Sequence, residues 1–279
     1  MTETPQITLN DASSIPAIGF GTYPLVGREG FEAVSSAIDV GYRLLDSAVN
    51  YENEGTVGAA ISGSGVASDD ITVQTKLPGR HHDTDAAVRS GWESRYRLGV
   101  EQIDVLLIHW PNPITGKYRE AWRGLVELQR QGVVRTIGVS NFTEQHLRDI
   151  IDDSGVVPAI NQVELHPRFP QQELLAAHRE LGIQTQAWSP LGKRKPAYED
   201  DAVASAAAAH GVSPAQVILR WHFQRGVIPL PKSATPVRQA ANLGIFGFEL
   251  THSEVAAITA LGRADGRLFD GDPNQHEEH

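Results

Sequence analysis

A chain of 279 residues can bury a sizeable core and is also within the range of one α/β barrel, an architecture that reaches this length without splitting. Its formal charge of −10 disfavours nucleic acid or an anionic membrane surface as a non-specific partner. The lack of cysteine removes disulfides, thiolate catalysis and thiolate-held metals. The opening MTETPQITLN has no basic flank ahead of an apolar stretch, and no apolar run reaches the roughly 18 residues of a membrane span, so a cytoplasmic protein is expected.

Ile7–Leu9 and Ile15–Ala17 flank the turn-rich Asn10–Ser14 and predict a hairpin that plugs one end of a barrel. Strand-like runs then alternate with amphipathic, helix-length segments. The predicted strands lie near Gly19–Thr22, Leu44–Asp46, Thr72–Lys76, Val105–Ile108, Thr136–Val139, Ile160–Glu164, Gln184–Trp188 and Val227–Pro229. Between them, helices are expected near Gly30–Val40, Asn53–Ser64, Thr84–Leu98, Tyr118–Gln131, Glu144–Asp153, Gln171–Leu181, Ala202–His210 with Ser213–Gln224, and Pro236–Leu243. Thr143 before Glu144, Ser213 before Pro214 and Thr235 before Pro236 mark helix starts. Thr251–Leu261 reads as an extra helix, and the stretch from Gly262 onward as a tail or a loop over the site. With no strict repeat and no linker, one (β/α)8 barrel domain over residues 1–279 is preferred to an open doubly wound sheet.

Polar residues recur after the predicted strands, at Asp46, Lys76, His109, Ser140, Gln162, Trp188 and Lys232. In a barrel the carboxyl ends of the strands share one face, which would gather Asp46, Lys76 and His109 with Tyr51 from the loop after the second strand. An ammonium beside a phenol lowers its pKa, a carboxylate beside the ammonium keeps it charged, and an imidazole can hydrogen-bond a substrate oxygen. Taken singly, Asp46 also reads as a loop-satisfying carboxylate and His109 as a buried imidazole beside Trp110; the combination points to carbonyl reduction. Tyr23, Trp110 and Phe269 are candidate pocket walls.

A dinucleotide fingerprint is absent, because GFGTYP at Gly19–Pro24 has Pro24 where a third glycine is needed. PKSATPVR instead places Lys232 and Arg238 around a helix start, where backbone N–H groups and the helix dipole favour phosphate. The basic run Lys193–Lys195 reads as a solvated surface or as an aid to anion steering. His81, His82 and Asp83, with His276 and His279, lack companions at metal-ligand spacing, so no metal is expected; His166 reads as structural.

Across nearly its whole length the chain resembles the aldo-keto reductases. The resemblance rests on Asp46, Tyr51, Lys76 and His109 and on the blocks GVSNF at Gly138–Phe142, NQVELHP at Asn161–Pro167, WSPLG at Trp188–Gly192 and PLPKSATPVRQAAN at Pro229–Asn242. It implies a monomeric, NADPH-dependent enzyme reducing aldehydes or ketones, with Tyr51 as general acid, Lys76 and Asp46 tuning it and His109 orienting the carbonyl. It further implies that Ser140, Asn141 and Gln162 hold the nicotinamide carboxamide, that Trp188 stacks on the ring, and that Ser189 and Leu191 line the pyrophosphate. Lys232, Ser233 and Arg238 would take the 2′-phosphate and Asn242 the adenine. YRLLDSAVNYENE, LIHWPNP and GRLFDGDPNQHEEH are most similar to bacterial members acting on keto sugar acids such as 2,5-diketo-D-gluconate, with small dicarbonyls as the other substrate class. Ser47 stands where the family usually has Thr, and Ala241 where many members have Glu. The alternatives are a nicotinamide-binding regulatory subunit that acts through a partner protein, and a metal-dependent barrel hydrolase.

Overall fold

The computed structural model describes residues 4–193, 196–269 and 271–278. Arg194, Lys195 and His279 of the expected basic run and histidine clusters lie outside them.

The chain opens with a hairpin of β1 (Gln6–Thr8) and β2 (Ser14–Pro16), antiparallel with Ile7 opposite Ile15. There follow β3 (Phe20–Gly21), α1 (Gly27–Asp39), β4 (Leu44–Asp46), α2 (Glu54–Gly63), β5 (Thr72–Leu77), α3 (Thr84–Leu98), β6 (Ile103–Ile108) and α4 (Tyr118–Arg130). The second half runs through β7 (Val134–Ser140), α5 (Glu144–Ser154), β8 (Ile160–Glu164), α6 (Gln172–Leu181), β9 (Gln184–Trp188), α7 (Asp201–His210), α8 (Pro214–Gln224), β10 (Val227–Pro229), α9 (Pro236–Leu243) and α10 (His252–Thr259).

Strands β3 to β10 form one parallel sheet in sequential order. Its two edges are joined by Gly19 N donating to Pro229 O and Gly21 N donating to Pro231 O, each at 3.1 Å, which closes the barrel. A Cβ on Gly19 would meet Leu230 and Leu44 at 2.5–2.7 Å, so closure at this seam requires a residue without a side chain.

Alternation along a strand sends successive side chains to opposite faces. Leu45, Val73, Leu77, Leu106, Ile108, Ile137 and Val139 face outward into the layer shared with the helices. Leu44, Val105, Leu107, Ile160, Ile228 and Leu230 point inward and pack with Leu9 and Ile15 of the hairpin. The hairpin therefore plugs the amino-terminal end of the barrel, held also by Thr136 Oγ1 donating to Asp11 Oδ2 at 2.8 Å.

Helix starts follow the sequence signals with two differences. Ser213 forms a capping box with Gln216, and Thr143 forms one with His146 rather than with an acidic or amide side chain. Thr235 precedes α9 as expected, yet its side chain makes no capping hydrogen bond.

Candidate active site

The interior of the barrel is apolar at the hairpin end and turns polar toward the carboxyl ends of the strands. Asp46, Lys76 and His109 occupy the inward positions that follow Leu44, Gln74 and Leu107, and the backbone bonds Ser47 N to Gln74 O and His109 N to Leu77 O carry the ladder up to them. Tyr51 arrives on a single 3-10 turn, Val49–Tyr51, directly after β4. Asn53 pins that turn: it accepts from Ser47 Oγ at 2.6 Å and donates to Leu25 O at 2.9 Å. Ser47, where a threonine is usual, thus spends its hydroxyl on the loop that carries Tyr51.

All four residues meet. Lys76 Nζ donates to Asp46 Oδ1 at 2.7 Å and to Ser47 O at 2.8 Å, and lies 3.4 Å from Tyr51 Oη. The Tyr51 and His109 rings are 5.6 Å apart and nearly perpendicular. Burial pushes the Lys76 ammonium toward its neutral form, and Asp46, with Glu278 behind it, opposes that push; the balance leaves its pKa below the ordinary lysine value. Tyr51 is held well above the usual phenol range, first by burial and then by the charges of Asp46 and Glu278. This corrects the expectation that Lys76 depresses the phenol: with two carboxylates nearby, the ammonium does not prevail, and the proton stays on Tyr51 until a stronger base develops beside it.

Beneath Asp46 lies a layer of amides. Gln74 Nε2 donates to Asp46 Oδ1 at 2.6 Å and Gln162 Nε2 to the same oxygen at 3.0 Å, while Gln74 and Gln186 exchange two hydrogen bonds of 2.8 and 2.9 Å. One carboxylate oxygen therefore accepts from three donors, Gln74, Gln162 and Lys76, an arrangement that fixes the buried carboxylate in place. Sequence reasoning missed Gln74 and Gln186, although each sits two residues before a site residue on an inward-facing position. Gln162, expected near a carboxamide, directs its nitrogen to Asp46 and to Gln186 Oε1 at 3.1 Å.

On the neighbouring strands, Ser140 Oγ donates to Gln162 O at 2.8 Å. Asn141, with φ of 63°, donates to His109 O at 2.9 Å and accepts from Trp188 Nε1 at 2.8 Å. Ser189 also adopts a left-handed conformation, φ 49°, and the adjoining Pro190 carbonyl is held by His222 Nε2 at 3.0 Å. His222 is buried and its pKa is lowered to about 3, chiefly by desolvation, so it meets that carbonyl as a neutral ring through its Nε2–H. Leu191 is half-buried beside the same turn.

A second region surrounds the start of α9. Lys232 and Arg238 are exposed on either side of it, and the first turn lacks a side-chain cap. Pro236 has no N–H, and Arg238 N and Gln239 N both donate to Thr235 O at 3.0 Å, so of the first-turn donors Val237 N is left for a phosphate between the two cations. Ser233 turns its hydroxyl onto Thr235 N at 3.1 Å, and Asn242 is buried beside Tyr42. Gln239, not singled out by sequence, ties the helix to α1 by donating to Ala33 O and accepting from Ser36 Oγ.

Tyr23, Trp110 and Phe269 stand at the rim. Tyr23 lies 5.1 Å from the Tyr51 ring, and Phe269 lies 5.8 Å from Trp188 with Lys193 Nζ 4.7 Å from its centroid. The tail crosses this rim, from Leu268 N on Glu164 Oε1 at 2.6 Å to His276, whose ring lies 4.2 Å from that of Trp110 and tilted to it by 47°. A cavity of about 410 Å³ between Asn141–Glu144 and Asp272–Asn274 lies along its course. His166 is buried against Glu164 at 3.0 Å, and no group of three metal-binding side chains occurs among the described residues.

Known proteins place this geometry. The model of the aldo/keto reductase family matches residues 17–263. The 2,5-diketo-D-gluconic acid reductase B of Corynebacterium sp. (strain SHS752001) is 52% identical over 278 residues, with all of both chains covered. Morphine 6-dehydrogenase of Pseudomonas putida is 42% identical, with 93% of this chain and 92% of that protein covered. Among solved structures, a mutant of Gox0644 in complex with NADPH superimposes with a TM-score of 0.93 at 40% identity, covering 98% of this chain and 99% of that one. The convergence of Asp46, Tyr51, Lys76 and His109 at the mouth of a closed barrel thus accompanies similarity along the full length, and the chain belongs to the aldo/keto reductase family.

Proposed function

We propose that this chain reduces aldehydes and ketones with NADPH, with Tyr51 as the proton donor and keto sugar acids or small dicarbonyls as substrates. The observation that carries the reading is the contact of Lys76 with both Asp46 and Tyr51 beside His109. When bound, NADPH supplies the hydride that the carbonyl carbon accepts.

The protein's own groups do the rest. Tyr51 Oη gives its proton to the carbonyl oxygen as negative charge gathers there, and Lys76 stabilises the phenolate left behind. Asp46 keeps Lys76 charged against the cost of burial. His109 presents a ring nitrogen to the same oxygen and aims the carbonyl. Ser140, Asn141 and Gln162 line the place of the carboxamide, Trp188 offers a stacking face, Ser189 and Leu191 border the pyrophosphate, and Asn242 lies toward the adenine. Lys232, Ser233 and Arg238 select the 2′-phosphate by the uncapped start of α9. The quartet comes from one chain, so a single-domain monomer suffices. The substrate class draws its support from the relative acting on 2,5-diketo-D-gluconic acid, which matches end to end.

The test is loss of reduced-nicotinamide absorbance with NADPH and a panel of aldehydes, α-dicarbonyls and keto sugar acids, together with Tyr51→Phe. That variant should lose about 10²–10⁴-fold in kcat while binding NADPH almost unchanged. Equal turnover in the variant removes Tyr51 from the acid role; no turnover by the parent across the panel refutes the reductase reading.

A further inference from the structure

Asp46, Lys76 and Tyr51 are held from within the barrel, whereas His109 is met from outside by the tail. Glu278 Oε1 lies 2.6 Å from His109 Nδ1. At that distance Nδ1 is within hydrogen-bonding reach of the carboxylate, although the angles are not those of a well-aligned bond. The carboxylate sits in a built socket. Asn50 Nδ2 donates to its Oε1 at 2.8 Å and Gly79 N to its Oε2 at 3.3 Å. Asn112 clasps the backbone on both sides, donating to Glu278 O at 2.6 Å and accepting from Glu278 N at 3.0 Å. A Cβ on Gly79 would collide with both the Asn112 side chain and the Glu278 carbonyl, so that glycine keeps the socket open. One residue earlier, Glu277 accepts from Ile114 N at 2.8 Å and from Thr115 Oγ1.

A carboxylate is an acceptor only, and two lone pairs do not approach to 2.6 Å without repulsion, so Nδ1 carries its hydrogen and faces the tail. Nε2 is then the nitrogen left to the substrate, and it donates to a carbonyl oxygen in the ring that carries both hydrogens. Glu278 remains ionised: burial pushes its carboxyl up, but His109, Asn50 and Gly79 together outweigh that and hold it below the usual range. A fixed negative charge therefore stands beside the group that aims the carbonyl.

We propose that Glu278 is a positioning residue for His109 and, by its charge, a discriminator against substrates whose carboxylate adjoins the reacting carbonyl. The proposal rests on the reductase reading above. A keto sugar acid reduced several carbons from its carboxylate escapes the repulsion, whereas an α-keto acid does not. For two like charges a few ångströms apart at a partly solvated mouth, the expected penalty is about tenfold in kcat/KM.

Steady-state kinetics with NADPH decide it, using diacetyl and pyruvate, methyl ketones that differ in a methyl against a carboxylate oxygen beside the carbonyl. Glu278→Ala should lower kcat on diacetyl about tenfold, with a smaller change in KM. Glu278→Gln keeps an acceptor oxygen at the same reach and should restore most of that kcat, while raising the pyruvate-to-diacetyl ratio of kcat/KM about tenfold. A parent-like kcat in Glu278→Ala, or an unchanged ratio in Glu278→Gln, overturns the proposal, and a pyruvate rate that stays undetectable counts as unchanged. A parent enzyme inactive on diacetyl and on the wider carbonyl panel instead overturns the reductase reading, and this inference with it.

Discussion

Replacing Asp46 by Asn keeps the shape of the side chain but removes the counter-charge of an ammonium that is wholly buried. Lys76 is 0% exposed and Asp46 6%, and their atoms are 2.7 Å apart. At that distance the gross attraction is about 6 kcal/mol with an effective dielectric constant of about 20. The desolvation of both ions offsets much of it in the parent, but the variant still buries the lysine, so a net loss of about 3–5 kcal/mol is expected. Lys76 can relieve the deficit by releasing its proton. Its native pKa, already lowered by burial, then falls further below the unfolded value. The folded variant binds fewer protons than its unfolded chain in that window, so its stability rises with pH. Between pH 7 and pH 9 the deficit should shrink by up to about 2.7 kcal/mol. Urea denaturation of parent and variant at the two pH values measures this. A variant within about 1 kcal/mol of the parent at both would refute the account of Asp46 as the support of a buried charge.

Arg238→Ala removes one cation from the start of α9 and should weaken NADPH binding about 10- to 100-fold while leaving NADH binding nearly unchanged; fluorescence titration with both nucleotides checks it, and equal losses would place Arg238 elsewhere. A second expectation concerns acid. His82, His178 and His222 are buried, and desolvation lowers their pKa from 6.5 to about 4, about 4 and about 3. Each is neutral when folded and binds a proton more readily when unfolded, so the stability they confer is full above pH 6.5 and lost as pH falls toward 4. At pH 5 the combined loss is at most about 6 kcal/mol relative to pH 7. A urea midpoint that does not move between these pH values would contradict it.

The parity of the strands was legible without coordinates. Asp46, His109 and Gln162 each stand two positions from an inward apolar residue, Leu44, Leu107 and Ile160, while Gln74 with Lys76, Ser140, and Gln186 with Trp188 stand at odd spacing from the outward Val73, Val139 and Ala187, so period-two alternation sends them all to the interior. The helix between Thr84 and Leu98 and the strand between Ile160 and Glu164 were predicted to the residue, because long periodic segments bounded by turn signals leave little freedom. The hairpin was displaced by one residue, as short strands with few apolar positions permit.

Local sequence therefore determined which residues alternate inward, where the strands end, and which proton-handling groups stand at those ends. Only the closed tertiary structure decided how they are charged and what surrounds them. The raised pKa of Tyr51 depends on burial and on Glu278, and the amide layer joins Asp46, Gln74, Gln162 and Gln186 from four strands. The tail carried no periodicity to read, and its place over His109 follows from contacts with Asn50, Gly79 and Asn112, residues far away along the chain. Such contacts come into existence when the barrel closes, because closure is what brings the ends of successive strands, and the loops they carry, within reach of one another.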